Sequence, residues 1–205
     1  MFSATIDTQT IDNIAFHLND PPPVQYSVEI EAIKLKNVKQ FKMRSNEQSR
    51  RKFLDSFYSG FDIPSSQAMI FANTKKTVHF LLELLTKLGK TAKILTSDIP
   101  DYERDTIIDD FRRQKFSALI STNLLARGID VPDVDIVINY NIPIIQQEGG
   151  WQEPDYANYL HRVGRTGRFE TDGLALTFYD GESEESMINK ISSYWDTEIT
   201  EIASF

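Results

Sequence analysis

The chain of 205 residues contains no cysteine, which removes disulfides and thiolate zinc sites from consideration. That absence fits a reducing compartment without fixing one. Long apolar runs are also missing, so no segment is built to span a bilayer and no membrane insertion is expected. The N-terminus lacks the basic stretch and apolar core of a signal peptide. Positive charge is in short supply: 22 Lys and Arg stand against 30 Asp and Glu, a net charge of −8. Proteins held on nucleic acid by their overall field carry a basic balance. Any such contact here must draw on locally concentrated cations or on a second domain.

What is present is the make-up of a soluble globular protein, 40% hydrophobic and 25% charged. The length suits one full domain with a short appendage and is too small for two ordinary domains. From about residue 66 a beat recurs, in which a β-rich apolar run gives way to a turn and then an amphipathic stretch. Gln67 to Phe71 reads as a buried strand. Thr74 to Leu88 reads as a helix with Val78, Leu81, Leu82, Leu85 and Leu88 on one face, closed by Gly89. A strand over Thr91 to Thr96 precedes a helix opened by Pro100 that buries Ile107, Ile108 and Phe111. Phe116 to Ser121 and Val134 to Tyr140 are further strands, Tyr156 to Val163 a helix, Leu174 to Tyr179 a strand and Glu182 to Trp195 a last helix.

Continuous apolar strands alternating with helices predict an α/β fold, a doubly wound and mainly parallel sheet with helices on both faces. Ligands of such sheets lie at the carboxyl ends of the strands. The first third differs. Thr8 to Leu18 can be helical, and Pro21-Pro22-Pro23 stops it. A short strand around Val24 to Val28 and a polar connector lead to a strand at Val38 to Met43. The expected organisation is a tail of an upstream domain over 1–28, a linker over 29–36 and the domain proper over 37–205.

Two segments carry chemistry. In His161-Arg162-Val163-Gly164-Arg165-Thr166-Gly167-Arg168, arginines spaced by three should fall on one side of a helix and its terminating turn. The two glycines allow a close backbone approach to a ligand. Guanidinium forks suit phosphate oxygens, and phosphoryl transfer needs such charge where it builds on the transferring group. The plainer reading, a solvated arginine face, is outweighed once the histidine and both glycines are counted. In Ser121 to Asp130, hydroxyls, backbone N–H groups and a carboxylate follow a buried strand directly. Thr122 and Gly128 can present N–H groups to a nucleic-acid backbone, and Asp130 can accept from a ribose hydroxyl or position a water. The alternative is a strand-to-helix turn capped by Thr122 or Asn123.

Together these segments resemble motifs V and VI of the DEAD-box RNA helicases, in order. Ile70-Phe71-Ala72-Asn73-Thr74 resembles motif IV, and Pro100 to Arg104 looks like the start of the helix bearing the family's Q-x-x-R element. Phe2-Ser3-Ala4-Thr5 looks like motif III, which ends the first RecA-like domain. The likeness covers essentially the whole chain and implies a C-terminal RecA-like domain. The long stretch Ile144 to Pro154, read as an extended loop holding Gly149-Gly150-Trp151, and Asn37-Val38-Lys39-Gln40 are similar to the nuclear-pore mRNA-export subgroup.

The resemblance implies that Arg165 and Arg168 are arginine fingers for the γ-phosphate of ATP, held with Mg2+ mainly by an N-terminal RecA-like domain. Gly128 and Asp130 would complete the ATP contacts. Asn73, Thr74, Arg104, Thr122 and Gly128 would meet RNA, and Ser3, Thr5, His161 and Arg162 would couple the domains. No Gly-rich phosphate loop with its lysine and no Asp-Glu-Ala-Asp occurs in the chain. The chain alone is therefore expected to be inactive, a helicase only as a two-domain protein. The implied partners are RNA, the N-terminal domain, and nucleoporin or mRNA-export regulators, with the protein a monomer in cytoplasm or nucleus, at the pore for that subgroup.

Three departures from the family pattern fall on the RNA side: Thr96-Ser97-Asp98 for His-Gly-Asp, Asp101 for the glutamine of Q-x-x-R, and Asn141 for the aspartate of Asn-Tyr-Asp. Asp101 either opposes an RNA phosphate or simply pairs with Arg104 at i,i+3. The acidic balance and the Trp151 segment leave open a non-catalytic docking module for RNP or nuclear-pore factors. A DNA-directed helicase of the same superfamily is disfavoured by the motif V context and by Ser3-Ala4-Thr5. Tyr194 and Trp195 read as helix-end packing rather than base stacking.

Overall fold

A computed structural model describes residues 37–60, 67–122, 133–147, 149–167 and 172–203. The expected tail over 1–28 and linker over 29–36 lie outside them. The described elements run β1 (Val38–Arg44), α1 (Glu47–Gly60), β2 (Ala68–Phe71), α2 (Lys75–Lys87), β3 (Ala92–Leu95), α3 (Asp101–Arg112), β4 (Ala118–Ser121) and β5 (Ile136–Asn139). Then follow β6 (Ile144–Gln146), β7 (Gln152–Pro154), α4 (Tyr156–Val163), β8 (Gly173–Tyr179), α5 (Gly181–Trp195) and β9 (Ile199–Ile202).

Seven strands form one sheet in the order β3-β4-β2-β5-β8-β1-β9, and every pairing in it is parallel. The RecA-like α/β reading holds. The central strands are short and buried on both faces, β2 and β4 completely, which is why they read as unbroken apolar runs. Alternate residues sort to the two faces. Ile70, Ala118, Ile120, Ile138, Leu176 and Phe178 join Leu54 and Tyr58 of α1 and Val78, Leu81 and Leu85 of α2 in one core cluster. Each fully buried aliphatic side chain there contributes about 1.5–3 kcal/mol. Helices α4 and α5 lie against the opposite face, tied to each other by Trp195 Nε1 donating to Tyr156 O at 3.2 Å, and to β1 by Tyr159 Oη donating to Gln40 Oε1 at 2.9 Å.

Three elements were not foreseen. Helix α1 carries its apolar residues at Phe53, Leu54, Phe57 and Tyr58, a helical spacing set among charged residues. Strand β9 is a four-residue edge strand. The stretch read as an extended loop is instead an antiparallel hairpin, β6 on β7, with Ile144 opposite Pro154 and Gln146 opposite Gln152. Lys190 on α5 holds Glu153 of the hairpin at 3.1 Å, and Trp151 at the turn is 77% exposed.

Register places the carboxyl ends of four strands, β3, β4, β2 and β5, level with one another and with Thr177, two residues short of the end of β8. Leu95 sits beside Ser121, Ser121 beside Phe71, Phe71 beside Asn139, and Asn139 beside Thr177. The residues that follow them therefore emerge along one edge. The amino ends of β5, β8 and β1 form the opposite edge.

Candidate nucleic-acid and nucleotide interface

At the carboxyl edge, β2 runs into Asn73 and Thr74. Thr74 caps α2, its Oγ1 accepting from Thr77 N at 3.1 Å and thus satisfying one of the helix's open donors. Thr122 leaves the end of β4, where the single Ser121 hydroxyl proton has two carbonyl acceptors in reach, Leu95 O (2.7 Å), which stitches β3 to β4, and Thr122 O (2.9 Å). After β3, Thr96 Oγ1 donates to the Asp98 carboxylate, and Lys75 from α2 reaches the same oxygen at 3.2 Å. Those contacts hold the Asp98 carboxyl down to about 2; the Thr96 hydroxyl is the largest cause, followed by the residue's own backbone N–H and Lys75. Arg104 donates from Nη1 to Asp101 at 2.8 Å and from Nη2 to Ser97 O at 3.0 Å. The i,i+3 pairing of Asp101 with Arg104 is thus present.

Arg162 was expected to share one side with Arg165 and Arg168; its guanidinium turns back along its own helix. A side chain in the last turn of a helix leans back towards the helix N-terminus. Helix α4 starts at the carboxyl edge, where Asp155 N donates to Pro143 O at 2.8 Å. The Arg162 guanidinium therefore returns to that edge, fully buried. Nη1 donates to Asn139 Oδ1 (3.2 Å) and Asn141 O (2.9 Å), and Nη2 to Asn73 Oδ1 (3.1 Å). Its charge also stands over the Phe71 ring, 5.2 Å from the centroid. Burial lowers its pKa to about 9, opposed by the charge of Asp155, so it stays protonated at neutral pH.

This network uses both ends of the Asn73 amide, since Nδ2 donates to Ile142 O at 2.8 Å. Asn73 N donates to Asn141 Oδ1 at 3.3 Å. Asn73 thus fastens β2 to β5 from within. A second buried arginine, Arg50 of α1, works alongside: Nη1 donates to Tyr140 O (2.9 Å) and Nε to Ser45 O (3.3 Å), joining the ends of β5 and β1. Arg50, Asn139 and Asn141 were not picked out as a unit from sequence. The available signal was polar residues directly after an apolar strand, where strand-end donors and acceptors must be paired.

The backbone of Arg165, Thr166 and Gly167 lies at the other edge. Val134 N, just before β5, donates to Arg165 O at 2.9 Å, and Thr166 Oγ1 donates to Asp135 O at 3.1 Å. Arg165 is buried at 8% exposure. Gly164 has an ordinary φ of −69°, whereas Gly167 takes φ +70°. A Cβ on Gly167 would stand 2.4 Å from Val38 Cγ2 and 3.1 Å from Asn37 O. One on Gly173 would meet Gly167 N at 2.5 Å. Gly167 thus lies in close approach to the chain's own β1 and to Gly173 of β8.

Of the predicted site residues, Asn73, Thr74, Arg104, Thr122 and the Arg162 guanidinium gather at the carboxyl edge. Arg165 lies at the amino edge, and His161 is half-buried on α4 between them. Ser3, Thr5, Gly128, Asp130 and Arg168 lie outside the described residues. Among the described residues no group of three or more His, Cys, Asp or Glu side chains is placed to hold a metal ion, and no helix is long and apolar enough to cross a membrane.

The model of the "Helicase conserved C-terminal domain" family matches residues 49–170, more than half of the chain. The ATP-dependent RNA helicase DBP5 of Kluyveromyces lactis is 35% identical over 206 aligned residues, covering 98% of this chain and 42% of that protein. The chain thus spans under half the length of such curated relatives. A solved C-terminal domain of the DEAD-box protein Dbp5 superposes with a TM-score of 0.74 at 37% identity, covering 83% of this chain and 92% of that one. S. cerevisiae Dbp5 bound to RNA and ADP BeF3 superposes at 0.83 with 33% identity, over 98% of this chain and 50% of that one. The chain belongs to the helicase C-terminal domain family and, within it, to the DEAD-box RNA helicases, as a C-terminal RecA-like domain similar to that of Dbp5.

Proposed function

We propose that the chain is the second half of an ATP-dependent RNA helicase that remodels RNA or RNPs in mRNA export, active only together with an N-terminal RecA-like domain. The observation that carries this reading is the division of its motifs between the two ends of one sheet. Thr74, Thr122 and Arg104 lie at the carboxyl edge, on the side of three strand ends. The Arg165 turn is fixed at the other edge by backbone hydrogen bonds. RNA would lie along the first edge, touched through backbone and hydroxyl donors that read no base. Arg165 and Arg168 would serve the γ-phosphate, with the neighbouring domain holding ATP and Mg2+. Neutralising charge on the transferring phosphate is the chemistry such arginines supply.

Binding of RNA and nucleotide across the cleft would favour a closed two-domain state over an open one. His161, Ser3 and Thr5 would transmit closure; Arg162 would act indirectly, by holding the strand ends that carry Asn73 and Asn141. The solved S. cerevisiae Dbp5 structures include forms bound to Gle1 and IP6 and to Nup159. Partners of that class, at the nuclear pore and its cytoplasmic side, are proposed for this protein.

A docking module without catalysis is the second reading, favoured by the paired cations Lys75 and Arg104 on the RNA edge. RNA-stimulated ATPase of the full two-domain protein separates the two, measured with and without Arg165→Ala plus Arg168→Ala. Strong stimulation that falls by about 10³-fold or more in the double variant is expected for the helicase. An unstimulated wild type, or a double variant of undiminished rate, sinks the catalytic reading in favour of docking.

A further inference from the structure

Two cations on the surface of the carboxyl edge, Lys75 and Arg104, are both held by carboxylates of the same edge. Lys75 meets Asp98 at 3.2 Å. Arg104 meets Asp101 at 2.8 Å, with the arginine side chain 20% and the aspartate 92% exposed. Arg104 is anchored from behind by Nη2 on Ser97 O, so its other terminal nitrogen faces the position that Asp101 occupies. A pair this exposed adds little to stability. Its chief consequence is electrostatic: an acceptor-only group already sits where a phosphate oxygen would bind.

We infer that Asp101 is an internal competitor for the RNA phosphate at Arg104, so that this carboxylate sets the strength with which the edge holds RNA. The inference rests on the RNA-binding reading above and sharpens it. Resting Arg104 contributes no net charge to the edge. A phosphate arriving there either displaces Asp101 or lies beside it at the cost of like-charge repulsion. The arrangement makes RNA release from this edge faster and its capture weaker than an uncharged residue at this position would give.

Salt dependence reads this directly, because each phosphate contact on single-stranded nucleic acid steepens the slope of log K against log salt by about 0.7. The test compares the full-length protein with its Asp101→Gln variant, using labelled oligouridine in the presence of ADP and beryllium fluoride across a salt series. Asp101→Gln is expected to bind about fivefold tighter at low salt, with a slope steeper by about 0.7 and the gain vanishing at high salt. Adding Arg104→Ala to Asp101→Gln should abolish the gain, whereas Arg104→Ala alone, which leaves the Asp101 carboxylate unpaired on the edge, should weaken binding. Asp105→Asn removes the same unit of charge from the same helix outside the pair. An equal gain in Asp105→Asn would make the effect one of net charge and overturn the inference. Unchanged affinity and slope in Asp101→Gln would overturn it while leaving the helicase reading in place. No binding by either protein would remove both.

Discussion

The two ends of the sheet are held by opposite means. At the carboxyl edge, long polar side chains reach in: Arg162 joins Asn73, Asn139 and Asn141, and Arg50 joins Tyr140 and Ser45. At the amino edge, side chains are absent where they would obstruct. Gly167 and Gly173 let backbone lie on backbone beneath the Arg165 turn. The first edge should therefore fail when a side chain is removed, and the second when one is added. The contrast also suits the proposed roles, since a turn set by backbone contacts is a stiff mount for a residue aimed at another domain.

The most damaging test of the first edge is Arg162→Met. It leaves one buried and two half-buried acceptors without their donor, each costing about 1–3 kcal/mol before water recovers some of it, for a loss of about 3–5 kcal/mol. Urea unfolding should show a lower midpoint at unchanged slope. At the second edge Gly173→Ala comes next. Its methyl group meets Gly167 N and Thr166 Oγ1, both at 2.5 Å, and the expected loss is about 2–3 kcal/mol by the same measurement. Thr166→Val, which removes a single hydrogen bond to Asp135 O, should cost about 1 kcal/mol. An Arg162→Met protein as stable as wild type, or a Gly173→Ala protein that loses nothing, would erase the contrast.

The smallest expected effect sharpens it by pH. Asp98 titrates near 2 against an ordinary 3.8. A depressed acid stabilises the fold above its unfolded pKa and loses that contribution as pH falls through the folded value. The Asp98 contribution is therefore complete above about pH 4 and gone below about pH 2. Because the Thr96 hydroxyl and Lys75 both lower this pKa, an NMR titration of Asp98 should move upward in Thr96→Val and in Lys75→Ala. An unmoved titration in either variant would remove that partner as a cause.

Much of this was legible beforehand. Strands such as Ala68–Phe71 and Ile136–Asn139 declare themselves because burial on both faces demands uninterrupted apolar residues. Helix Tyr156–Val163 was found at its observed bounds. Helix α1 was legible in principle, from Phe53, Leu54, Phe57 and Tyr58, but its charged residues outweigh that stripe. Strands of three residues, as in the hairpin, are too short for a period of two to register. The burial of Arg162 was not legible at all, because an arginine that bolts a core and one that serves a ligand are written alike.

By itself the sequence determined the layered parallel architecture, the identity of the motifs and the family, since hydrophobic period and residue order are properties of the chain. Only the tertiary structure decided at which end of the sheet Asn73, Thr74, Thr122, the Arg162 guanidinium and the Arg165 turn lie. Helix α4 is eight residues long, about 12 Å at 1.5 Å per residue, and a four-residue strand covers about the same distance. One helix thus carries the chain from the carboxyl edge to the amino edge. Arg162 leans back along it to the first edge while Arg165, three residues on, is fixed at the second.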